Sequence, residues 1–173
     1  MIRKAEKNDL DSVVALYEEI HAAEESGTVT TGWIRGIYPS RESAKASLDR
    51  NDLFVLEENG SILASGIINR IQVDVYAGVP WKHVVPDDQV CVLHTLTVSP
   101  ASFGKGYARA FLRFYEEYAL QAGCPELRID TNAVNRSARA MYRKHGYDEI
   151  DIVPAVFNGI PDVRLVLLEK YLG

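Results

Sequence analysis

The sequence predicts an α/β fold: one mixed sheet with helices on both faces, in the order β-α-α-β-β-β-α-β-α-β-β. Three observations carry this. Short β-branched and apolar runs alternate with segments of helical apolar spacing. Several consecutive strand segments are joined by short turns, which antiparallel pairs allow and parallel pairs do not. A chain of 173 residues, 47% of them hydrophobic, can bury a sizeable core, which predicts a single domain over 1–173.

The elements follow in order. Ile2 to Ala5 reads as a short strand, and Asn8 to Asp11 as helix-start chemistry. Val13, Val14, Leu16, Tyr17 and Ile20 then share one helical face. The stretch 26–40 is rich in Gly, Ser and Thr and reads as a loop carrying Trp33 and Tyr38; Ser40 caps a second helix, RESAKASLD. LFVLEENGSILASGIINRI is a strand, a turn at Glu58–Ser61 and a second strand. An irregular excursion, VDVYAGVPWKHVVPDDQ, leads into the strand VCVLHTLTV, ended near Pro100. In the helix that follows, Phe111, Leu112, Tyr115, Tyr118 and Ala119 share a face, and Gly123 fits a left-handed stop. ELRIDT is a strand. Asn135 caps the short helix RSARAMYRKH, closed by Gly146, and YDEIDIV and VRLVLLEKYL finish as strands.

Composition excludes several classes. The formal net charge is −5, so no nucleic-acid partner is expected. The start, MIRKAEKNDLDS, turns polar at once, and no apolar run approaches ~20 residues, so neither a leader nor a membrane span is expected. Cys91 and Cys124 form no CxxC pair. No metal is expected, and the default location is cytoplasmic.

The stretch SPASFGKGYARAFL (99–112) raises the question of phosphate binding. A P-loop needs Ser or Thr after Gly-Lys, where this chain has Gly106. A dinucleotide fingerprint needs a third glycine, where this chain has Arg109. What survives is a backbone nest opening a helix, whose free N–H groups point at an anion, with Lys105 and Arg109 at the rim.

Together with TNAVNRSARAMYRKHGY, this stretch resembles the GNAT superfamily of acetyl-coenzyme A-dependent N-acetyltransferases. LHTLTVSPASFGKGYARAFL resembles the family's pyrophosphate-cradling strand, loop and helix. Asn135, Ala138, Tyr142, Lys144, Gly146 and Tyr147 match its N-x-x-A-x-x-x-Y-x-K-x-G-[FY] segment. The Trp33…Tyr38-Pro39, Tyr76…Trp81 and ELRIDT features look like a group of bacterial members. One departure is Phe103, where the family's loop usually begins with Gln or Arg. The resemblance implies a GNAT-like fold, acetyl-CoA as cofactor and an acyltransferase activity. It also implies cofactor contacts from Leu96, Thr97, Val98, Phe103, Gly104, Lys105, Gly106, Tyr107, Ala108, Arg109, Asn135, Tyr142 and Lys144. It leaves a homodimer as one option.

The chemistry of acetyl transfer to an amine has three demands. The amine must be neutral, and at pH 7 only about one in a thousand molecules with a pKa near ~10.4 is. The oxyanion needs a donor, and the leaving thiolate needs a proton. Tyr142 holds the family's general-acid position, with a core tyrosine as the bland alternative. His94 is the candidate base. Strict alternation places it with Val92, Leu96 and Val98, and a structural histidine is the equal alternative. Trp33, Tyr38, Tyr76 and Trp81 are candidates to line a pocket for a small-molecule or peptide amine, or equally to close the core under loops. A non-catalytic acyl-CoA sensor is the competing reading.

Overall fold

The computed structural model describes residues 1–173 and has the element order that the sequence predicts. The strands are β1 (Ile2–Lys4), β2 (Leu53–Glu58), β3 (Ser61–Asn69), β4 (Val90–Val98), β5 (Glu126–Asn132), β6 (Asp148–Phe157) and β7 (Ile160–Tyr171). The helices are α1 (Leu10–Glu25), α2 (Arg41–Asp49), α3 (Tyr107–Gln121) and α4 (Arg136–Lys144).

Local chemistry sets the boundaries. Ser40 Oγ accepts from the Ser43 N–H, and Asn135 Oδ1 from the Ala138 N–H at 3.1 Å, so each satisfies one free donor at a helix start. Gly123 and Gly146 close α3 and α4 at φ 76 and 85, a region that costs other residues a steric penalty. The first helix starts at Leu10, within the polar run expected to open it, after a tight turn at Lys7–Asp9. Arg3 holds that turn, donating to Asp9 at 2.7 Å and to Glu57 on β2 at 2.8 Å.

All seven strands form one sheet in the order β1-β2-β3-β4-β5-β7-β6. Every neighbouring pair is antiparallel except β4 and β5, which are parallel because α3 carries the chain back across the sheet.

Apolar residues fill both faces. On one, Phe111, Leu112 and Tyr115 of α3 and Tyr142 of α4 pack on Leu56, Leu93 and Ile129. On the other, Val13 and Tyr17 of α1 and Ala44 of α2 pack on Leu53, Val55 and Ile67. Tyr76 and Val79, from the excursion between β3 and β4, extend that second face over Val90, Val92, Leu165 and Leu167.

Gly66 of β3 lies beneath the fully buried Phe111 ring, and a Cβ there would come within 2.7 Å of Phe111 Cε1. Gly66→Ala is therefore expected to destabilise the protein by about 1–3 kcal/mol. A lowered urea midpoint at unchanged slope is the readout; an unchanged midpoint would show that the α3 interface has slack.

Candidate active site

The site begins where the parallel ladder stops. Val90 to Leu93 pair with Glu126 to Ile129, and no further. Both strands continue, β4 to Val98 and β5 to Asn132, with an open wedge between them. One residue on β4 marks the change. Between the pairs Ile67↔His94 and Ser65↔Thr97, β4 has one residue more than β3, and Thr95 takes φ 52. This is a β-bulge, which bends its strand.

The bulge also resets alternation. Cys91 and Leu93 face α3, and beyond the bulge Leu96 and Val98 pack against that same cluster. His94 instead pairs with Ile67 on the α1 side. Strict alternation expects His94, Leu96 and Val98 on one face; the structure separates them, because one inserted residue inverts the pattern. The Ser99 N–H donates to Leu63 O at 2.9 Å, toward β3. The peptide groups of Leu96 and Val98 therefore turn to the open edge.

The wedge opens into a cleft of about 1270 Å³. At one end lies the glycine loop. Gly104 and Gly106 take φ 79 and 86, and no side chain caps the start of α3. The first bond back into the helix is Ala110 N–H to Gly106 O, at 2.9 Å. The N–H groups of Tyr107, Ala108 and Arg109 are thus left for a ligand, at the positive end of the helix dipole. Open space lies around both glycines, so their backbone conformation rather than crowding calls for glycine.

The other end is lined by aromatic residues and one carboxylate. Trp33 and Phe157 meet the Tyr38 ring edge-on at 6.2 and 6.3 Å. The Tyr38 hydroxyl bonds the Thr95 hydroxyl, so the bulge is tied to this wall. Glu24 holds the rim: its carboxylate accepts from the Thr31 N–H, from the Thr31 hydroxyl at 2.8 Å and from the Gly32 N–H at 3.2 Å. Gly32 is needed there, since a Cβ would strike Asn132 Nδ2 at 2.2 Å.

Asp130, just past the last residue of β5 that pairs with β4, lines the cleft, and Tyr76 Oη donates to its Oδ2 at 2.6 Å. Burial pushes its carboxyl up to about 6, and the Tyr76 bond restrains the rise. Tyr142 also lines the cleft, and its hydroxyl has no hydrogen-bond partner within the chain. Burial, then the Asp130 charge, hold its phenol well above the ordinary value, so it stays protonated.

The structure gathers most of the residues singled out from the sequence. Leu96, Thr97, Val98, Phe103, Gly104, Gly106, Tyr107, Ala108, Arg109, Asn135, Tyr142, Lys144, Trp33 and Tyr38 all line the cleft. Lys105 does not; it is exposed beside the loop. Tyr76 is buried behind the wall and reaches the cleft only through Asp130. Trp81 packs on Tyr76 and on the Arg128 guanidinium, 4.1 Å from its ring centre. His94 faces a separate pocket of about 340 Å³, with Nε2 3.0 Å from Asn69 Oδ1. Burial lowers its pKa to about 4, so the ring is neutral and its Nε2–H donates to the amide oxygen. His21 is buried and donates from Nε2 to Pro39 O at 2.8 Å. Asp130 escaped the sequence reading, although a carboxylate ending the apolar run of ELRIDT was a usable signal.

A family model described as "Acetyltransferase (GNAT) family" matches residues 13–147. The Bacillus subtilis (strain 168) protein YhfO, described as an uncharacterized N-acetyltransferase, is 25% identical over 150 residues, covering 86% of this chain and 89% of its own. The crystal structure of a GNAT-family acetyltransferase from Streptococcus agalactiae 2603 superposes with a TM-score of 0.82 at 24% identity, covering 99% of this chain and 94% of that one. That of yncA from Salmonella typhimurium, described with its cofactor acetyl-CoA, superposes with a TM-score of 0.72 at 18% identity over 100% and 94% of the two chains. These two likenesses establish the fold.

The dry wall around Asp130 is directly measurable. Carbon-detected NMR titration is expected to place its carboxyl at about 6, well above the ~3.9 of an open aspartate. Tyr76→Phe, which removes a donor to the ionised form, should raise it further. A value near the open one in the wild type would contradict the geometry.

Proposed function

The chain belongs to the acetyltransferase (GNAT) family, and on that premise we propose that it moves the acetyl group of acetyl-CoA onto a primary amine of a small molecule or peptide by direct attack. The observation that carries this reading is the pairing, in one cleft, of a backbone nest for an anion with an acid and a base. Acetyl-CoA supplies an activated thioester.

The loop at Gly104 to Arg109 binds the pyrophosphate through its free N–H groups, so Phe103, 48% exposed at the rim, is tolerated where relatives place a polar residue. The peptide groups of Leu96 and Val98 hold the amide-bearing arm as an added strand, and the thioester lies in the wedge. Asn135 and Lys144 flank the same channel.

Asp130 draws in the ammonium form of the acceptor and takes its proton. Trp33, Tyr38 and Phe157 exclude water around the freed amine. The amine nitrogen forms its bond to the acetyl carbon, N–H donors on the open edge of β4 face the charge building on the carbonyl oxygen, the nitrogen gives its surplus proton to water, and the carbon–sulfur bond breaks. Tyr142 gives its hydroxyl proton to the departing thiolate. The proton on Asp130 then returns to Tyr142 through solvent, and both groups are reset.

Thiol release from acetyl-CoA against an amine panel tests this. For a good acceptor, kcat/KM should rise about tenfold per pH unit below about 6, as Asp130 ionises, and flatten above it. Asp130→Asn should remove that limb and lower kcat by about 10²–10⁴ with cofactor binding intact. Tyr142→Phe should lower kcat with little change in KM. Cofactor binding without turnover of any amine would favour the sensor reading and overturn this one.

A further inference from the structure

We propose that His83, Glu126 and Glu169 form a binding site for a divalent metal ion of the Zn²⁺ class, at the end of the sheet away from the wedge. Glu126 opens β5 and Glu169 lies near the end of β7, on the face that the excursion between β3 and β4 covers. His83 comes from that excursion. Its ring stacks on Tyr171 of β7, 4.4 Å between centres and 7° from parallel. A donor atom from each of the three residues lies within 4.8 Å of those of the other two.

Unmet hydrogen-bonding capacity is the independent observation. Glu126 is 0% exposed and Glu169 2%. One oxygen of each is engaged: Glu126 Oε1 takes the Arg128 Nε–H at 3.3 Å, and Glu169 Oε1 takes the Lys82 N–H at 2.9 Å. Glu126 Oε2, Glu169 Oε2 and His83 Nδ1 are all buried without a partner. His83 Nδ1 lies 3.5 Å from Glu169 Oε1 without hydrogen-bond geometry. An orphaned buried carboxylate oxygen is costly, and two beside an orphaned imidazole nitrogen call for a shared occupant.

The charge balance fits a cation. Arg128, itself buried, is the one guanidinium among these groups, and it is shared with Gln72 and the Trp81 face. It offsets one of the two carboxylates; the nearby Lys82 ammonium is paired with Asp148 at 2.6 Å, so the other has no cation bonded to it. Imidazole plus two carboxylates is a donor set that Zn²⁺ accepts at about 2.0–2.2 Å, with water in the fourth position. Reaching those bonds needs a contraction on the order of 1 Å, and the half-exposed segment carrying His83 can supply it. The bound ion would staple the excursion to β5 and β7, the excursion that also brings Tyr76 to Asp130. The three ligands are far apart in the chain, which is why the sequence predicted no metal.

A proton is the competing occupant, since burial and then Glu169 push the Glu126 carboxyl up to about 8. Calorimetric titration of the chelator-stripped full chain with zinc chloride separates the two. One equivalent is expected to bind, with a thermal midpoint that rises with metal concentration. Losing an outer partner of a ligand costs about 10–100-fold in metal affinity, so His83→Ala, at a half-exposed position, should cost at least ~100-fold while leaving the metal-free midpoint near that of the wild type. Glu126→Gln, which keeps the shape, should cost as much. Absence of saturable binding, or equal affinity in His83→Ala, would overturn the proposal. Acetyl transfer is not the readout, so a failure here is distinguishable from a failure of the proposed reaction.

Discussion

The site depends on one inserted residue. A parallel pair that stayed in register would join β4 and β5 along their whole length and leave no wedge. Thr95 breaks that continuity at φ 52, a conformation that costs a β-branched residue on the order of 1–3 kcal/mol. The structure compensates locally, since the Thr95 hydroxyl bonds Tyr38 and the strand re-engages β3 at Thr97. In return the peptide groups of Leu96 and Val98 face open space, and Asp130, still paired with Leu167 of β7, borders the opening left by β4.

Around that opening the chain sets two titratable groups apart by environment. Asp130 is raised only part of the way to neutrality, because Tyr76 donates to its ionised form. Tyr142 has no such donor; its burial, and then the nearby Asp130 charge, hold it protonated. The proposed reaction uses this difference, with Asp130 as the base and Tyr142 as the acid. The supports lie outside the cleft. Trp81 donates to Tyr76 O at 3.0 Å, and Glu24 fastens the loop that carries Trp33.

Much of this was legible in the sequence because the relevant signals are local. Capping residues, helical apolar spacing and the glycine loop each act over a few positions, and the element order followed from them. Ser40 and Asn135 cap the helices expected of them. What could not be read depends on distant contacts or on a single backbone dihedral. Period-2 reasoning places His94 beside Leu96, and nothing in VCVLHTLTV marks Thr95 as the residue that inverts the pattern. Tyr76 and Trp81 look like pocket aromatics in an irregular stretch. Their role as buttresses appears only when Asp130 and Arg128, some fifty residues on, are brought against them. The grouping of Glu126 with Glu169 likewise needs the β5–β7 register.

The bulged half of β4 is an unfilled strand edge open to a ligand. Hydrogen–deuterium exchange of the full chain, with and without coenzyme A, tests it most directly. Ligand-induced protection is predicted at the amides of Leu96 and Val98 and at those of Gly104 to Arg109, with Val90 to Leu93 already protected by their ladder. Coenzyme A binding that leaves Leu96 and Val98 exchanging as fast as in the free protein would show that this edge is not where the ligand pairs.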